Sequence, residues 1–332
     1  MPRIQKSSLS LLLTVALGAA FLVSLDLGPV RLPLLKTLQD LLAGRNNDEV
    51  VILKEIRLPR ALLGVLVGAT LGLAGAAMQG LLRNPLAEPG VLGVTGGASL
   101  GAVLMLYTGV FAFFPLSLPL GGIAGALLSV LFLYSLAGYV ASVQTLVLAG
   151  VALNVVAFSG TSLALNLSRN PYGALEIVFW QMGSLADRSF DHFFLAAPFI
   201  LAGGILLLWN GRALDALSLG EETAMSLGVP IGRVRFRLIL GTALSVGAAV
   251  AVTGSVSFIG LVVPHLLRPF VRHEPGKLLG VSALGGAVLL LLADIAVRLI
   301  PVAGELKLGI LTSLIGAPFF IALIFKMRRG LT

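Results

Sequence analysis

Long apolar runs separated by short polar segments are the feature that most constrains this chain. Hydrophobic residues make up 57% of the 332 residues and charged residues only 11%, whereas a soluble domain carries about 25% charged residues. The runs are continuous and do not alternate as in a transmembrane β-barrel. They predict an all-α, polytopic membrane protein. This composition excludes a cytosolic enzyme, a nucleic-acid-binding module and a disordered chain.

The runs divide the chain into ten candidate transmembrane spans within a single domain, residues 1–332. A helix needs about 20 apolar residues to cross the hydrocarbon core. The first run follows Arg3 and Lys6 as in a signal peptide, but it continues past Phe21 without a cleavage signal, so we predict a retained helix. The ten spans are expected at about 8–25, 61–82, 91–108, 119–139, 145–166, 192–209, 235–253, 256–271, 279–298 and 307–326.

The distribution of basic residues gives the expected orientation. Ten spans with the N-terminus inside place both termini in the cytoplasm, and the basic tail Lys326–Arg329 acts as an inside anchor. The excess of basic residues on the inner side is small elsewhere. The sequence predicts a multi-pass protein of the inner (plasma) membrane, surrounded by lipid.

Two patterns concern packing and internal symmetry. Gly64, Gly68 and Gly72 lie on one face of the second span and predict close packing against another helix of the same chain rather than a dimer seam. Two short segments have similar sequences. Leu81-Leu82-Arg83 is followed by Glu88-Pro89-Gly90, and Leu266-Leu267-Arg268 is followed by Glu274-Pro275-Gly276. An internal repeat and chance in a chain rich in leucine and glycine are both open explanations.

Motifs for chemistry are missing from the sequence. There are no cysteines and three histidines, so neither a metal site nor a cofactor is expected. The phosphate-binding pattern Gly-x-x-x-x-Gly-Lys-[Ser/Thr] does not occur. Catalysis by this chain is therefore not expected, and any ATP hydrolysis would need a separate subunit.

The longest inner loop, residues 213–232, contains a predicted short helix over about 221–227. Glu221 and Glu222 would occupy its first turn, Gly228 its C-terminal cap, and Ala224 and Leu227 its apolar side. The loop is either a surface connector or a docking element for a cytoplasmic partner.

Basic residues cluster at the outer ends of two spans. Arg57 and Arg60 precede the second span, and Arg298 ends the ninth. As unpaired groups they could dock an acidic partner surface, or they could snorkel at the membrane interface. Asp294 lies one helical turn before Arg298, so a local ion pair is favoured over a proton-relay role.

Polar residues in the fifth span, Asn154, Ser159 and Thr161, could form interhelical hydrogen bonds or line a pathway. The segment 167–190 contains an amphipathic stretch with an aromatic residue, and we expect a short interfacial helix there.

An ordered set of motifs over about residues 55–326 resembles the permeases that import iron chelates and vitamin B12, within the type II ABC importers. Each motif is weak alone, but their order is specific. They are Arg57-Leu58-Pro59-Arg60, Gly75–Gln79, Arg83–Gly93, Ala149–Leu153, Gly183-Ser184-Leu185, Leu217–Gly228, Phe258–His265, Ala293-Asp294 and Ile315–Phe319.

The resemblance implies ten spans, a homodimer around a central pathway, two cytoplasmic ATP-binding subunits and a periplasmic or surface binding protein. It implies that Arg57, Arg60 and Arg298 dock the binding protein. In the segment 213–232 it implies that the coupling contacts to the ATPase are made by Ser218, Gly220, Glu221, Ala224, Leu227 and Gly228.

The implied function is ATP-driven import of a metal chelate by alternating access. The expected cargo is a ferric siderophore, with haem or cobalamin as alternatives. The fifth and tenth spans line the pathway in the family, which nominates Asn154, Ser159 and Thr161. The ligand-facing parts depart from the family, and Lys307 stands where a proline is common, so the chelate is open. A secondary carrier is the competing class, and it would need membrane-buried acids such as Asp294.

Overall fold

The computed structural model describes residues 6–28, 30, 32–139, 141–168, 170–300 and 305–329. The regular structure in these ranges is helical, which confirms the predicted all-α fold class. Residues 1–5 and 330–332 lie outside the described residues, as do the side chains of the basic tail, so the orientation of the termini stays a prediction. In chain order the α-helices are α1 Lys6–Asp26, α2 Leu34–Leu42, α3 Asp48–Val51, α4 Leu58–Leu81, α5 Val94–Tyr107, α6 Val110–Phe113, α7 Ser117–Ala137, α8 Val143–Leu167, α9 Pro171–Gln181, α10 Phe190–Trp209, α11 Gly211–Leu217, α12 Glu221–Ser226, α13 Ile231–Thr253, α14 Ile259–Leu267, α15 Pro275–Leu299 and α16 Leu308–Arg329.

Each of the ten predicted spans coincides with an apolar helix. Seven helices are long and apolar enough to cross a membrane, namely α1, α4, α7, α8, α10, α13 and α15. The other three predicted spans correspond to the shorter apolar helices α5, α14 and α16. The helix α14 continues as a 3-10 turn to Val271, which extends the eighth span.

Helices α4, α13 and α15 form the interior of the bundle. The spanning windows of α4 and α13 are each 78% buried, whereas those of α1 and α8 are 22% buried. The helix α4 packs against α15, α14, α13 and α10. Lipid or a partner chain must therefore cover the faces that α1 and α8 leave open.

The glycine stripe of α4 faces α15. A Cβ atom on Gly68 would lie 2.5 Å from the carbonyl oxygen of Gly286, and one on Gly72 would lie 2.0 Å from that of Ser282. Both distances are shorter than any real contact of a Cβ atom, so only glycine permits this approach. The prediction of packing within the chain is confirmed.

Two groups of short elements lie between the spanning helices. Between α1 and α4, the helices α2 and α3 and a π-helical turn at Ile52–Arg57 form a cap that packs on the end of α1 and the start of α4. The segment 167–190 forms the helix α9, whose N-terminus is capped by the Asn170 side chain accepting the Tyr172 N–H at 3.0 Å. The predicted helix is confirmed, while its depth in the membrane stays a prediction.

Candidate translocation pathway and docking surfaces

Three non-helical segments meet between α9, α13 and α16. The Ser184 N–H donates to the Thr253 carbonyl oxygen at 2.7 Å, and the Leu308 N–H donates to that of Gly183 at 2.9 Å. Glycine permits this approach, because a Cβ atom on Gly254 would lie 2.1 Å from the Trp180 carbonyl oxygen. Irregular backbone among membrane helices is tolerated where it is buried in protein or lines a cavity.

A cleft of about 680 Å³ opens beside this junction. One wall is a face of α16 that includes Ser313 and Pro318, and the other wall comprises Gln181, Ser255 and Ser257. Its described lining residues are uncharged. The cleft therefore offers an apolar surface with a few amide and hydroxyl groups.

A second cleft, of about 390 Å³, lies between α5 and α8. It shares Gln181 and Ser255 with the first cleft, so the two clefts adjoin at the junction. The Nε2 atom of Gln181 is buried and has no hydrogen-bond partner among the described residues. Leaving a buried donor without an acceptor is costly, so this atom marks an unsatisfied polar group beside both clefts.

The structure separates the three pathway residues predicted from the sequence. Asn154 and Thr161 line the second cleft, and the Asn154 Nδ2 atom also donates to the Gly90 carbonyl oxygen at 2.8 Å. Ser159 is exposed and is not among the lining residues of either cleft. Sequence analysis missed Gln181 and Ser255, although both are polar residues close to a glycine in otherwise apolar segments.

The sequence analysis treated Arg57, Arg60 and Arg298 as unpaired groups, and this premise is wrong. Arg57 is 4% exposed, and its guanidinium group donates to the carbonyl oxygens of Leu25, Asp26 and Val30. Arg298 donates to the carbonyl oxygens of Ser24 and Leu27, both at 2.9 Å. These two arginines hold the end of α1 and the segment after it. Docking of a binding protein by them stays a prediction.

Arg60 joins α4 to α15 and to the segment before α16. Its Nη2 atom lies 2.8 Å from Oδ1 of Asp294 and also pairs with Glu305. Arg298 lies 2.8 Å from the other carboxylate oxygen of Asp294. The predicted pair of Asp294 and Arg298 is therefore present within a larger network, and both Asp294 oxygens are occupied. This arrangement is that of a structural ion-pair network rather than a proton relay.

A third cavity, of about 500 Å³, lies between α9 and the loop that follows it. Lys307 lines it, with Nζ 5.8 Å from the centroid of the Phe179 ring, a cation–π contact. Burial lowers the pKa of Arg188, another lining residue, and the neighbouring Asp187 partly offsets that effect. The lysine that departs from the family pattern thus faces a mixed aromatic and charged cavity.

The inner loop forms the predicted helix, α12. The N–H groups of Gly228 and Val229 donate to the carbonyl oxygens of Met225 and Ala224 at 2.9 and 3.0 Å, and Gly228 has φ +82°. These two bonds form a Schellman motif, so the predicted glycine cap is present. Gly220, before the helix, has φ +108°.

Ala224 and Leu227 were expected on the same apolar side of α12, but the structure separates them. Ala224 is fully buried, but Leu227 is 64% exposed and so does not pack on the chain with Ala224. The reason is that Leu227 is the C-cap residue, where the helix ends. Met225 and Leu219 are also exposed, so three large apolar side chains of this segment are open to a partner or to solvent. We call Leu219, Met225 and Leu227 the apolar triad.

Glu221 fastens α12 to the bundle. Its Oε1 atom lies 2.6 Å from Nη2 of Arg235 on α13 and 3.7 Å from Nη2 of Arg83. Ser218, just before α12, is exposed and its hydroxyl donates to the Asp215 carbonyl oxygen at 2.6 Å. The segment is thus held by its charges while its apolar triad points outward.

Comparisons with known proteins agree with this geometry. The FecCD transport family matches residues 14–326. The hemin transport system permease protein HmuU of Yersinia pestis is 38% identical over 98% of this chain and 97% of the relative. The Fe(3+) dicitrate transport system permease protein FecD of Escherichia coli is 39% identical over 97% of this chain and 100% of the relative.

A further relative and a solved structure complete the comparison. The vitamin B12 import system permease protein BtuC of Vibrio cholerae is 43% identical over 82% of each chain. A structure described as an inward-facing conformation of a metal-chelate type ABC transporter superposes with a TM-score of 0.85 at 31% identity, covering 97% of this chain and 100% of that one. The fold is therefore that of a type II importer permease, in an inner membrane protein that works with separate ATPase subunits and a binding protein. The chain belongs to the FecCD transport family, the permease subunits of ABC importers for iron chelates, haem or vitamin B12.

Proposed function

We propose that this chain forms half of the pathway of an ATP-driven importer that moves a ferric siderophore into the cytoplasm by alternating access. Haem and cobalamin are the alternative cargoes. The observation that carries the proposal is the pair of adjoining clefts that share Gln181 and Ser255. Their described walls carry amides and hydroxyls but no charged side chain. Such walls suit a bulky chelate that must pass without being held tightly.

A second copy of the chain is the proposed opposite wall of the pathway. Both clefts open on the surface of the bundle, beside α8 and α16. The helix α8 exposes Val155, Val156 and Phe158, and the apposition of two such faces would bury these apolar side chains. We infer a homodimer with both termini in the cytoplasm. The proposed binding protein docks on the outer face near the Arg60 network.

The extent of the alignments favours an iron chelate over cobalamin. The relatives named for hemin and Fe(3+) dicitrate align with 97–98% of this chain, whereas the three Vibrio relatives named for vitamin B12 align with 82–85%. This supports a ferric chelate as the cargo.

Uptake by reconstituted vesicles tests the proposal. We expect the chain, with its ATPase subunits and binding protein, to import a ferric siderophore only when ATP is present. Hemin, ferric dicitrate and cobalamin, each offered at the same concentration, identify the cargo. Uptake that is independent of ATP but abolished by an uncoupler would contradict the proposal and favour a secondary carrier.

The apolar triad is the proposed contact with the ATPase. Leu227→Asp places a charge on a surface that the ATPase would bury, so we expect ATP-driven uptake to fall at least tenfold, the effect of about 1.4 kcal/mol. Membrane insertion and the thermal stability of the permease should not change, because Leu227 is exposed. Uptake by vesicles and ATPase activity of the purified complex are the measurements.

Thr223→Asp is the matched control for this variant. Thr223 is an exposed residue of the same helix and lies in its first turn, where an acidic side chain is favourable. It adds the same charge without removing an apolar side chain. Wild-type uptake by Leu227→Asp, or an equal loss in both variants, would contradict the coupling role of the triad.

A further inference from the structure

Arg83 and Arg268, the arginines of the two similar sequence segments, line one pocket. Arg83 follows the end of α4, and Arg268 begins the 3-10 turn after α14, yet both line the same cavity of about 200 Å³. Gln79, Ser218 and His273 also line it. The pocket adjoins the start of the segment 213–232, and two of its lining residues, Arg268 and His273, lie outside the motifs of the family resemblance.

Arg268 is held in place by a buried amide. Its Nη2 atom donates to Oε1 of Gln79, which is 1% exposed, and Nε2 of Gln79 donates to the Leu261 carbonyl oxygen at 3.3 Å. Nε of Arg268 is buried and has no hydrogen-bond partner in the described part of the chain. The guanidinium group is therefore oriented and keeps a donor unused.

Arg83 shares its counter-ion, Glu221, with Arg235. Its nearest carboxylate oxygen is that of Glu221, at 3.7 Å, and Arg235 already binds that oxygen at 2.6 Å. The side chain of Arg83 is 48% exposed, so it can turn toward the pocket. Its positive charge is only weakly compensated.

The remaining walls add positive potential. The N-terminus of the 25-residue helix α15 reaches the pocket at Pro275, and the positive end of its dipole favours an anion. One first-turn donor is occupied, since the Gly276 N–H donates to Oδ1 of Asp215 at 2.7 Å. The described lining includes no carboxylate. The nearby Glu274 is paired with Lys277.

We propose that this pocket binds a phosphate-class oxyanion, either free or carried on a lipid headgroup. Two guanidinium groups and an imidazole provide donors suited to tetrahedral oxyanions, while the Ser218 hydroxyl already donates to the Asp215 carbonyl oxygen. The volume of about 200 Å³ is below that of a pocket for a drug-sized ligand, so a single headgroup fits and a nucleotide does not. A bound anion would tie the end of α4 to the turn after α14, beside the segment 213–232.

Titration of the purified full-length permease with sodium sulfate and with inorganic phosphate, followed by calorimetry, tests the site. We expect saturable binding to the wild type. Arg83→Gln and His273→Gln should each raise the dissociation constant, Arg83→Gln by about tenfold or more, because a hydrogen bond to a charged group is lost. Arg268→Gln tests the second guanidinium group. If the Arg268→Gln variant does not fold without the hydrogen bond to Gln79, the Arg83 and His273 variants still test whether the pocket binds an anion.

Arg272→Gln is the matched control, because Arg272 is an exposed neighbour that does not line the pocket. It should bind sulfate as the wild type does. No saturable binding to the wild type, or an equal loss in the Arg272 and Arg83 variants, would overturn the proposal.

Native mass spectrometry in the presence of phosphatidylglycerol separates the two sources of the anion. Retained lipid that excess sulfate displaces and that Arg83→Gln loses identifies a headgroup. Sulfate binding with no such lipid identifies a free anion. If instead Arg83→Gln leaves anion binding unchanged and weakens only the association with the ATPase subunit, the pocket binds an acidic side chain of that subunit and the proposal fails.

Discussion

Replacing Gly286 with leucine is expected to prevent the chain from folding into a stable bundle. A Cβ atom on Gly286 would lie 2.1 Å from the carbonyl oxygen of Gly68, so any side chain must push α15 away from α4. Both helices lie in the interior, and their separation would open the core. We expect a loss of about 3 kcal/mol or more in the free energy of unfolding, and a smaller loss for Gly286→Ala. Thermal unfolding in detergent, monitored by size-exclusion chromatography, measures it.

Gly280→Leu is the control on the same helix. A Cβ atom on Gly280 meets nothing within 4 Å. Removing a glycine from a helix interior is favourable by about 1 kcal/mol, so this variant should be as stable as the wild type or slightly more stable. Equal stability of the Gly286 and Gly280 leucine variants would show that α4 and α15 are not packed through their glycines.

Among single substitutions that remove a charge, Asp294→Asn is expected to reduce the stability of the permease most. Asp294 is fully buried and is paired with Arg60 and Arg298, whose side chains are only 12% and 7% exposed. Asparagine keeps the shape of the side chain but leaves two nearly buried guanidinium groups with less compensating charge. Breaking a buried pair in this way costs about 3–5 kcal/mol. Thermal unfolding of the purified permease measures the loss.

Two further variants separate this effect from other causes. Glu55→Gln removes an exposed pairing with Lys54, so we expect a change below about 1 kcal/mol. Arg60→Met combined with Asp294→Asn should cost less than the sum of the two single changes, because the residues share one network. A stable Asp294→Asn variant that has lost all uptake would contradict the structural role and would favour the proton-relay interpretation.

The positions of the helices were predictable from the sequence, because a run of about 20 apolar residues can satisfy its backbone in a membrane only as a helix. The short helix α12 was also predictable, since its acidic first turn and its glycine cap are local signals. The stripe of Gly64, Gly68 and Gly72 similarly identified a close helix contact. In each case the signal lies within a few consecutive turns of the chain.

The direction and partners of individual side chains were decided only by the tertiary structure. Arg57 and Arg298 donate to carbonyl oxygens at the end of α1 and in the segment after it, which no pattern near either arginine indicates. Ser159 lies outside both clefts although Asn154 and Thr161 line one, because the rotation of α8 is set by its packing.

Both candidate sites depend on contacts between segments that are distant in the sequence, so neither could be predicted from the sequence alone. The two clefts adjoin only because Gln181 and Ser255 come together where three segments meet. The pocket exists only because Arg83 and Arg268 approach each other across the bundle. The sequence alone determined which segments are helices and which faces can pack closely, since those properties depend on local periodicity. Tertiary packing decided which polar groups are paired and which are left to bind a ligand, because pairing depends on helices far apart in the chain.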